Sequence, residues 1–166
     1  MIKAIMACDC NGGIARNGSM PWPRNDRDLS WFKRNTMNCT VVMGKSTWND
    51  PFMPSPLPGR KNVVVTHGPE SCPGADLYIT TNLLEELKKL DEESTHRDVW
   101  IIGGANLLEQ AMPAIEQFYL TIFDEAYECD TSIHLKDILR SMNEIGTHDE
   151  PGMHIKILEK FKGMTA

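Results

Sequence analysis

The chain has 166 residues, 41% of them hydrophobic and 24% charged, which suits one globular domain over residues 1–166 with room for a sizeable core. It holds no run of eighteen apolar residues, so no membrane-spanning helix is expected, and the apolar start Met1-Ile2-Lys3-Ala4-Ile5 is too short for a signal-peptide core, which makes the cytoplasm the expected address. A net charge of −6 without a basic tract argues against nucleic acid as a partner, and five cysteines with no C-x-x-C and no zinc spacing argue against a disulfide framework or a structural metal.

Ile2 to Cys8 is short and apolar, a buried first strand. Asp9 to Asn25 contains Gly12, Gly13, Gly18, Pro21 and Pro23 and reads as a long loop, of the kind that serves as a lid. Asn25 or Asp26 can cap a helix over Asp26–Thr36, in which Leu29, Phe32 and Lys33 follow helical spacing. Thr40 to Met43 is a second strand, and Gly44-Lys45-Ser46-Thr47-Trp48 turns into a short helix. Four prolines between Asn49 and Pro58 make that stretch irregular. Asn62–Thr66 and Leu77–Ile79 are the third and fourth strands, and Asn82–Leu90 is an amphipathic helix. Asp98–Ile102 is a fifth strand, Gly103-Gly104 leads into a helix over Ala105–Met112, and Gln117–Phe123 is a sixth strand. Ile145–Thr147 and Met153–Phe161, joined at Glu150-Pro151-Gly152, form a closing antiparallel pair. The alternation predicts an α/β fold: a central mixed, mostly parallel twisted sheet with helices on both faces and a C-terminal antiparallel hairpin.

Ligands of such sheets lie beyond the carboxyl ends of the strands, where Lys45, Thr66 and Gly103 fall. Gly44-Lys45-Ser46-Thr47 offers a cation, two hydroxyls and free N–H groups at a helix start. It is not a triphosphate loop, because G-x-x-x-x-G-K-S needs glycine where Cys39 stands. Thr66-His67-Gly68 and Ile102-Gly103-Gly104-Ala105 close two further strands, and consecutive glycines let a ligand approach the backbone. Three such ends suggest a ligand with several phosphates, hence a dinucleotide. Ahead of them, Gly18-Ser19-Met20-Pro21-Trp22 precedes a helix in which Asp28 and Phe32 share one face at i, i+4. A carboxylate beside an aromatic plate suits a flat, nitrogen-rich heterocycle. Arg60, after the turn Pro58-Gly59, can hold a carboxylate with its fork.

Taken together, Met20-Pro21-Trp22, Asp28-Leu29-x-x-Phe32, Val42-Met43-Gly44-Lys45-x-Thr47-Trp48, Leu57-Pro58-Gly59-Arg60-Lys61-Asn62, Ile102-Gly103-Gly104 and Tyr119-Leu120-Thr121 follow one another over nearly the whole chain. In this order and spacing the sequence resembles dihydrofolate reductase. The resemblance implies a monomeric, NADPH-dependent enzyme that reduces dihydrofolate and takes antifolate inhibitors. It implies that Asp28 binds the pterin and promotes protonation at N5, supported by Thr121, with Met20 and Trp22 in the catalytic set. Ile5, Leu29, Phe32, Leu57, Ile102 and Arg60 would hold the rest of the substrate. Ala7, Ile14, Gly18, Ser19, Met20, Gly44, Lys45, Ser46, Thr47, Thr66, His67, Ile102, Gly103, Gly104, Ala105, Asn106 and Leu107 would hold the cofactor. No metal is implied. Two other readings share the architecture: a pyrimidine reductase of riboflavin synthesis, and a non-catalytic subunit. Asp28 with Phe32, and Pro58-Gly59-Arg60, favour folate.

The chain departs from the family's pattern at several positions. Asn106 stands where an arginine is common beside the cofactor's 2′-phosphate, so weaker discrimination of NADPH from NADH is expected. Ala105, Leu108 and Cys129 replace a frequent glycine, tyrosine and glycine. The segment Asn49–Pro56 is longer, which leaves the pocket wall at Phe52 or Met53 open.

Overall fold

The computed structural model describes residues 1–94 and 96–161. In chain order its elements are β1 (Ile2–Cys8), β2 (Gly13–Ala15), α1 (Asp26–Thr36), β3 (Thr40–Gly44), α2 (Lys45–Trp48), β4 (Lys61–Val65), β5 (Leu77–Ile79), α3 (Leu83–Glu93), β6 (Val99–Gly103), α4 (Ala105–Ala111), β7 (Gln117–Phe123), β8 (Thr131–Ser132), α5 (Leu135–Ser141), β9 (Met142–Glu150) and β10 (Met153–Lys160). Eight strands form one sheet in the order β5-β4-β3-β6-β1-β7-β10-β9. The six from β5 to β7 are mutually parallel; β10 runs antiparallel between β7 and β9. The expected mixed, mostly parallel sheet with a closing hairpin is therefore the observed one.

Strand side chains alternate between the two faces, and each face has its own core. On one, Ala4, Val42, Val63, Ile101, Phe118 and Leu120 pack with Leu87 and Leu90 of α3, Leu107, Leu108 and Ala111 of α4, and Ile138 of α5. On the other, Ile5, Val41, Met43, Val64, Trp100 and Ile102 pack with Trp48 of α2, Leu57 and the half-buried Trp31 and Phe32 of α1. Each large apolar side chain so enclosed contributes roughly 1.5–3 kcal/mol by leaving water. The second face is thinner, since Thr36 is the sole buried residue of α1. That leaves space between α1 and the sheet.

Several boundaries differ from the expected ones. The loop from Asp9 to Asn25 contains β2, which pairs with β8; two- and three-residue strands carry no readable period. β3 runs on through Gly44, β4 starts and stops one residue earlier than expected, and β6 one residue later. Asn82 is a left-handed cap rather than the first helical residue, and α3 continues to Glu93. α4 ends at Ala111, where Met112–Ala114 tightens into a 3₁₀ turn. α5 was not expected. β9 spans nine residues rather than Ile145–Thr147, and β10 ends at Lys160, before Phe161. β9 is an exposed edge held by its ladder to β10, so a hydrophobic period was never required of it.

Candidate active site

α1 places its acid by its cap. Asn25 Oδ1 accepts from the Asp28 amide at 2.9 Å, which fixes the first turn. Asp26 points away and stays 81% exposed with Arg24, so of the two first-turn acids Asp28 alone faces the sheet. There Thr121 Oγ1, on β7, donates to Asp28 Oδ1 at 2.8 Å. Burial pushes the Asp28 pKa above the ordinary carboxylate value, and the Thr121 hydrogen bond opposes that shift only in part. The far side of α1 is clasped by the hairpin: Arg27 Nη1 donates to Glu150 Oε2 at 2.5 Å, and the His148 ring lies parallel to Trp31 with centroids 6.3 Å apart.

Asp28 opens onto a cavity of about 1030 Å³ that runs along the carboxyl ends of the strands. Leu29, Phe32, Ile5, Leu57 and Ile102 form an apolar wall beside it. At the same end lies Arg60. Asn62, buried on β4, shapes the turn that presents it: its amide donates to Leu57 O and Arg60 O at 2.9 Å each, and its Oδ1 accepts from Leu57 N at 2.8 Å. Gly59 supplies the positive φ of 75° that this turn needs. Arg60 Nε donates to Pro58 O at 3.0 Å and Nη1 to Thr36 Oγ1 at 3.1 Å. Those bonds orient the fork and leave its remaining N–H groups for a ligand. Burial draws the Arg60 pKa down from its ordinary value, yet an arginine there stays charged.

The opposite end of the cavity is built from strand ends. Gly44, Lys45, Ser46 and Thr47 close β3; Thr66 and His67 close β4; Gly103 and Gly104, joined by a cis peptide, close β6. A Cβ on Gly103 would lie 3.3 Å from Thr47 Oγ1, and one on Gly104 would lie 3.7 Å from Ser46 Oγ. Bare backbone thus faces hydroxyls across a narrow cleft that side chains would fill. Gly103, at φ 130°, also has a backbone that other residues rarely adopt. Ala105, Asn106 and Leu107 of α4 continue this wall.

The lid covers the middle, where Ile14, Gly18, Ser19 and Met20 line the cavity beside Ala7 of β1. Its root is tied by Asp9, a buried carboxylate. Asp9 Oδ1 accepts from the Asn11 and Gly13 amides at 2.9 and 2.8 Å, and Oδ2 from the Tyr127 amide at 2.8 Å and the Cys129 thiol at 3.7 Å. Burial acts to raise the Asp9 pKa, but the amides of Tyr127, Gly13 and Asn11 outweigh it and hold the carboxyl below its usual range.

Every residue assigned a ligand role from the sequence lines this one cavity except Trp22 and Thr121. Thr121 stands behind Asp28, 2% exposed. Trp22 lies beside the cavity lining and packs on Phe123 and Tyr127, with centroids 4.8 and 6.1 Å away. The cavity also takes residues that were not singled out, among them Lys33, Asn49, Asp50 and the run from Ile79 to Leu83. The last follows the end of β5, so the strand-end rule would have found it. Both Phe52 and Met53 line the wall left open by the longer segment.

A family model described as dihydrofolate reductase matches residues 1–149. The chain is 29% identical over 168 residues to dihydrofolate reductase type 8 of Escherichia coli, covering 99% of this chain and 98% of that protein. It is 32% identical over 156 residues to the dihydrofolate reductase of Bacillus subtilis (strain 168), covering 90% and 87%. Among solved structures, the dihydrofolate reductase from Enterococcus faecalis complexed with NADP(H) and RAB-propyl superposes with a TM-score of 0.77 at 26% identity, over 96% of each chain.

Proposed function

The chain belongs to the dihydrofolate reductase family, and we propose how its residues carry out the NADPH-dependent reduction of 7,8-dihydrofolate to 5,6,7,8-tetrahydrofolate. The observation that carries the reading is the half-buried Asp28 carboxyl, raised in pKa, bonded to Thr121 and facing an apolar cavity wall.

Asp28 accepts the pterin N3–H and 2-amino donors and promotes protonation at N5. A carboxyl with a raised pKa keeps more of its protonated form near neutrality, where a general acid is most useful. Thr121 positions the carboxylate. Phe32 and Leu57 flank the benzoyl part, with Ile5, Leu29 and Ile102 closing the wall, and Arg60 takes the glutamate carboxylate as a fork.

The cleft between Ser46, Thr47, Gly103 and Gly104 fits a phosphate-bearing cofactor: hydroxyl donors and a lysine on one side, bare backbone on the other. Gly44, Lys45, Ser46, Thr47 and Thr66 would hold the phosphates, with His67, Ala105, Asn106 and Leu107 alongside. Ala7 and Ile14 would line the nicotinamide site with Gly18 and Ser19. Bound NADPH supplies the hydride for C6 of the substrate imine. The walls align the two ligands, a positioning effect on the order of 7–11 kcal/mol when geometry is right. Met20 closes over the middle and excludes water. Trp22 serves the same set indirectly, through its packing on Phe123 and Tyr127.

The same reading makes residues 1–166 one domain of a monomeric cytoplasmic enzyme with no nucleic-acid partner. No helix among the described residues is long and apolar enough to cross a membrane. Flat antifolates that offer N–H donors to Asp28 would compete with substrate. The test is NADPH consumption with dihydrofolate, for the parent chain and Asp28→Asn. Turnover in the parent with a roughly hundredfold or greater loss in the variant at neutral pH is expected. Equal turnover in both would move the proton source elsewhere.

A further inference from the structure

α1 lies across the three strands that end the sheet. Thr121 of β7, Ile155 of β10 and His148 of β9 are partners in register, and so are Phe123, Met153 and Glu150. Each set is a row across the sheet, and the two rows, two residues apart on every strand, share one face. Phe123, Met153 and Ile155 are buried there, with Trp31 of α1 packed against them.

The helix meets these strands along two edges. On the inner edge Asp28 Oδ1 accepts from Thr121 Oγ1 at 2.8 Å, and Trp31 stacks on Tyr119 of β7 with centroids 6.0 Å apart. On the outer edge Arg27 Nη1 donates to Glu150 Oε2 at 2.5 Å, and the His148 ring lies within 3° of parallel to Trp31. Glu150 Oε1 is 3.0 Å from His148 Nε2, so Arg27, Glu150, His148 and Trp31 form a closed ring of contacts. Arg27 and Trp31 are i and i+4 on the helix, and His148 and Glu150 are i and i+2 on the strand; each spacing brings two side chains to one face. His148, and after it Arg27, hold the Glu150 carboxyl below its usual range, which keeps it ionised at neutral pH.

β10 separates the two edges, so β7 and β9 stand roughly 10 Å apart. The contacts fall on either side of the helix axis and oppose rotation about it. The helix has little core of its own to do so, since it buries Thr36 alone. A side-chain carboxyl stands about 5 Å from a helix axis, so a roll of ~20° moves it by ~1.7 Å. That displacement breaks a hydrogen bond of 2.8 Å.

We infer that Glu150 is a positioning residue for the reaction: with His148 it holds Arg27 and Trp31, and thereby fixes the roll of α1 that keeps Asp28 on Thr121. The inference rests on the reductase reading, which makes Asp28 the acid. It adds a support for that acid on the hairpin, outside the cavity. Loss of the outer edge lets the helix roll and weakens the Thr121 bond. The Asp28 pKa then rises toward the value that burial alone sets.

The experiment uses Arg27→Ala, Glu150→Ala, the double variant, and Glu150→Gln, which can still accept from Arg27 and donate to His148. The quantity read is the Asp28 pKa in the ligand-free protein, from NMR titration of its isotope-labelled carboxyl. A partly exposed ion pair sets the scale: either alanine variant is expected to raise that pKa by about half a unit, a threefold change in the ratio of protonated to ionised acid. Both move it upward because both undo the same edge. Direct electrostatics has a different signature, since loss of the Arg27 cation raises a neighbouring carboxyl's pKa and loss of the Glu150 anion lowers it. The double variant is expected to shift no further than the larger single one, and Glu150→Gln to stay near the parent. Arg27 and Glu150 both reach solvent, so the variants are expected to fold, and Glu150→Gln with Arg27→Ala carries the test if Glu150→Ala does not. A lowered pKa in either Glu150 variant, or no shift in any, would overturn the inference. The carboxyl titration decides it whether or not the parent turns over dihydrofolate, and absence of turnover counts against the reductase reading alone.

Discussion

Thr121 on β7 donates a 2.8 Å hydrogen bond to the carboxylate of Asp28 on α1, joining the central sheet to the helix that roofs the cavity. The bond favours the ionised acid and so holds its pKa lower than burial alone would set it. Thr121→Val keeps the shape and removes the donor. Its Asp28 pKa rises further, so the alkaline limb of the kcat/KM profile moves to higher pH. The buried oxygen left without its donor costs ~1–3 kcal/mol of stability. Measurement of both pH–rate profiles checks this; an unmoved limb means that the hydroxyl does not tune the acid.

Asp28 also links pH to folding. Its folded pKa lies above the unfolded one. The favourable contribution of the protonated carboxyl is full below the unfolded pKa and is lost as pH rises through the folded pKa. Above the folded pKa the ionised, desolvated carboxylate is a net cost that Asp28→Asn removes. The variant is therefore expected to melt a few degrees above the parent at pH 7, with the gap closing as pH falls toward the ordinary carboxylate range. Paired thermal melts across pH test it, and a gap that widens toward acid would reverse the sign.

Arg60 should separate binding from chemistry. Arg60→Lys retains the charge but loses the fork and its anchors to Pro58 and Thr36. A KM for dihydrofolate about tenfold higher with little change in kcat is expected. A pteridine substrate without a carboxylate should show no difference between the two enzymes.

Asn106 accepts a 3.1 Å hydrogen bond from Gln110 on the exposed face of α4 and offers no charge to a cofactor phosphate. Asn106→Arg is expected to tighten NADPH about threefold to tenfold and to leave NADH unchanged. Equal dissociation constants for NADPH in parent and variant, by fluorescence titration, would sink the expectation of weak discrimination.

Gly13 and Cys129 meet at the root of the lid. A Cβ on Gly13 would lie 2.4 Å from Cys129 Sγ and 2.9 Å from its Cβ. Gly13→Ala should cost ~1–3 kcal/mol through overpacking. Cys129→Gly in the same chain removes both clashing atoms and should restore most of it. Denaturant midpoints of the two variants decide; absence of rescue would place the strain at Asp9 instead, 3.0 Å from the same Cβ.

The sheet was legible where burial writes a pattern. β1, β3, β4, β6 and β7 are short apolar runs because both their faces are covered. β9 was legible only around Ile145, because an exposed edge strand needs no period. α5 begins after His134, which makes no side-chain cap, and so gave no start signal. The acid of the cavity could be chosen over Asp26 because the resemblance fixes the register through Asp28-Leu29-x-x-Phe32. The packing of Trp22 on Phe123 and Tyr127 was not legible, because it depends on tertiary neighbours a hundred residues away in sequence. Asp50 was invisible in sequence, since a polar residue among prolines looks like any surface turn.

α1 buries only Thr36, although it carries the acid and the aromatic plate that face the cavity. Its inner surface is completed by whatever fills that space. Ligands therefore behave as the missing core of this helix and stabilise the folded state by mass action. The lifetime of the chain against proteases, which cut transiently opened segments, then follows the supply of its own ligands: a cell short of folate and cofactor would also hold less of the enzyme, and an inhibitor that fills the cavity would lengthen the survival of the protein it blocks.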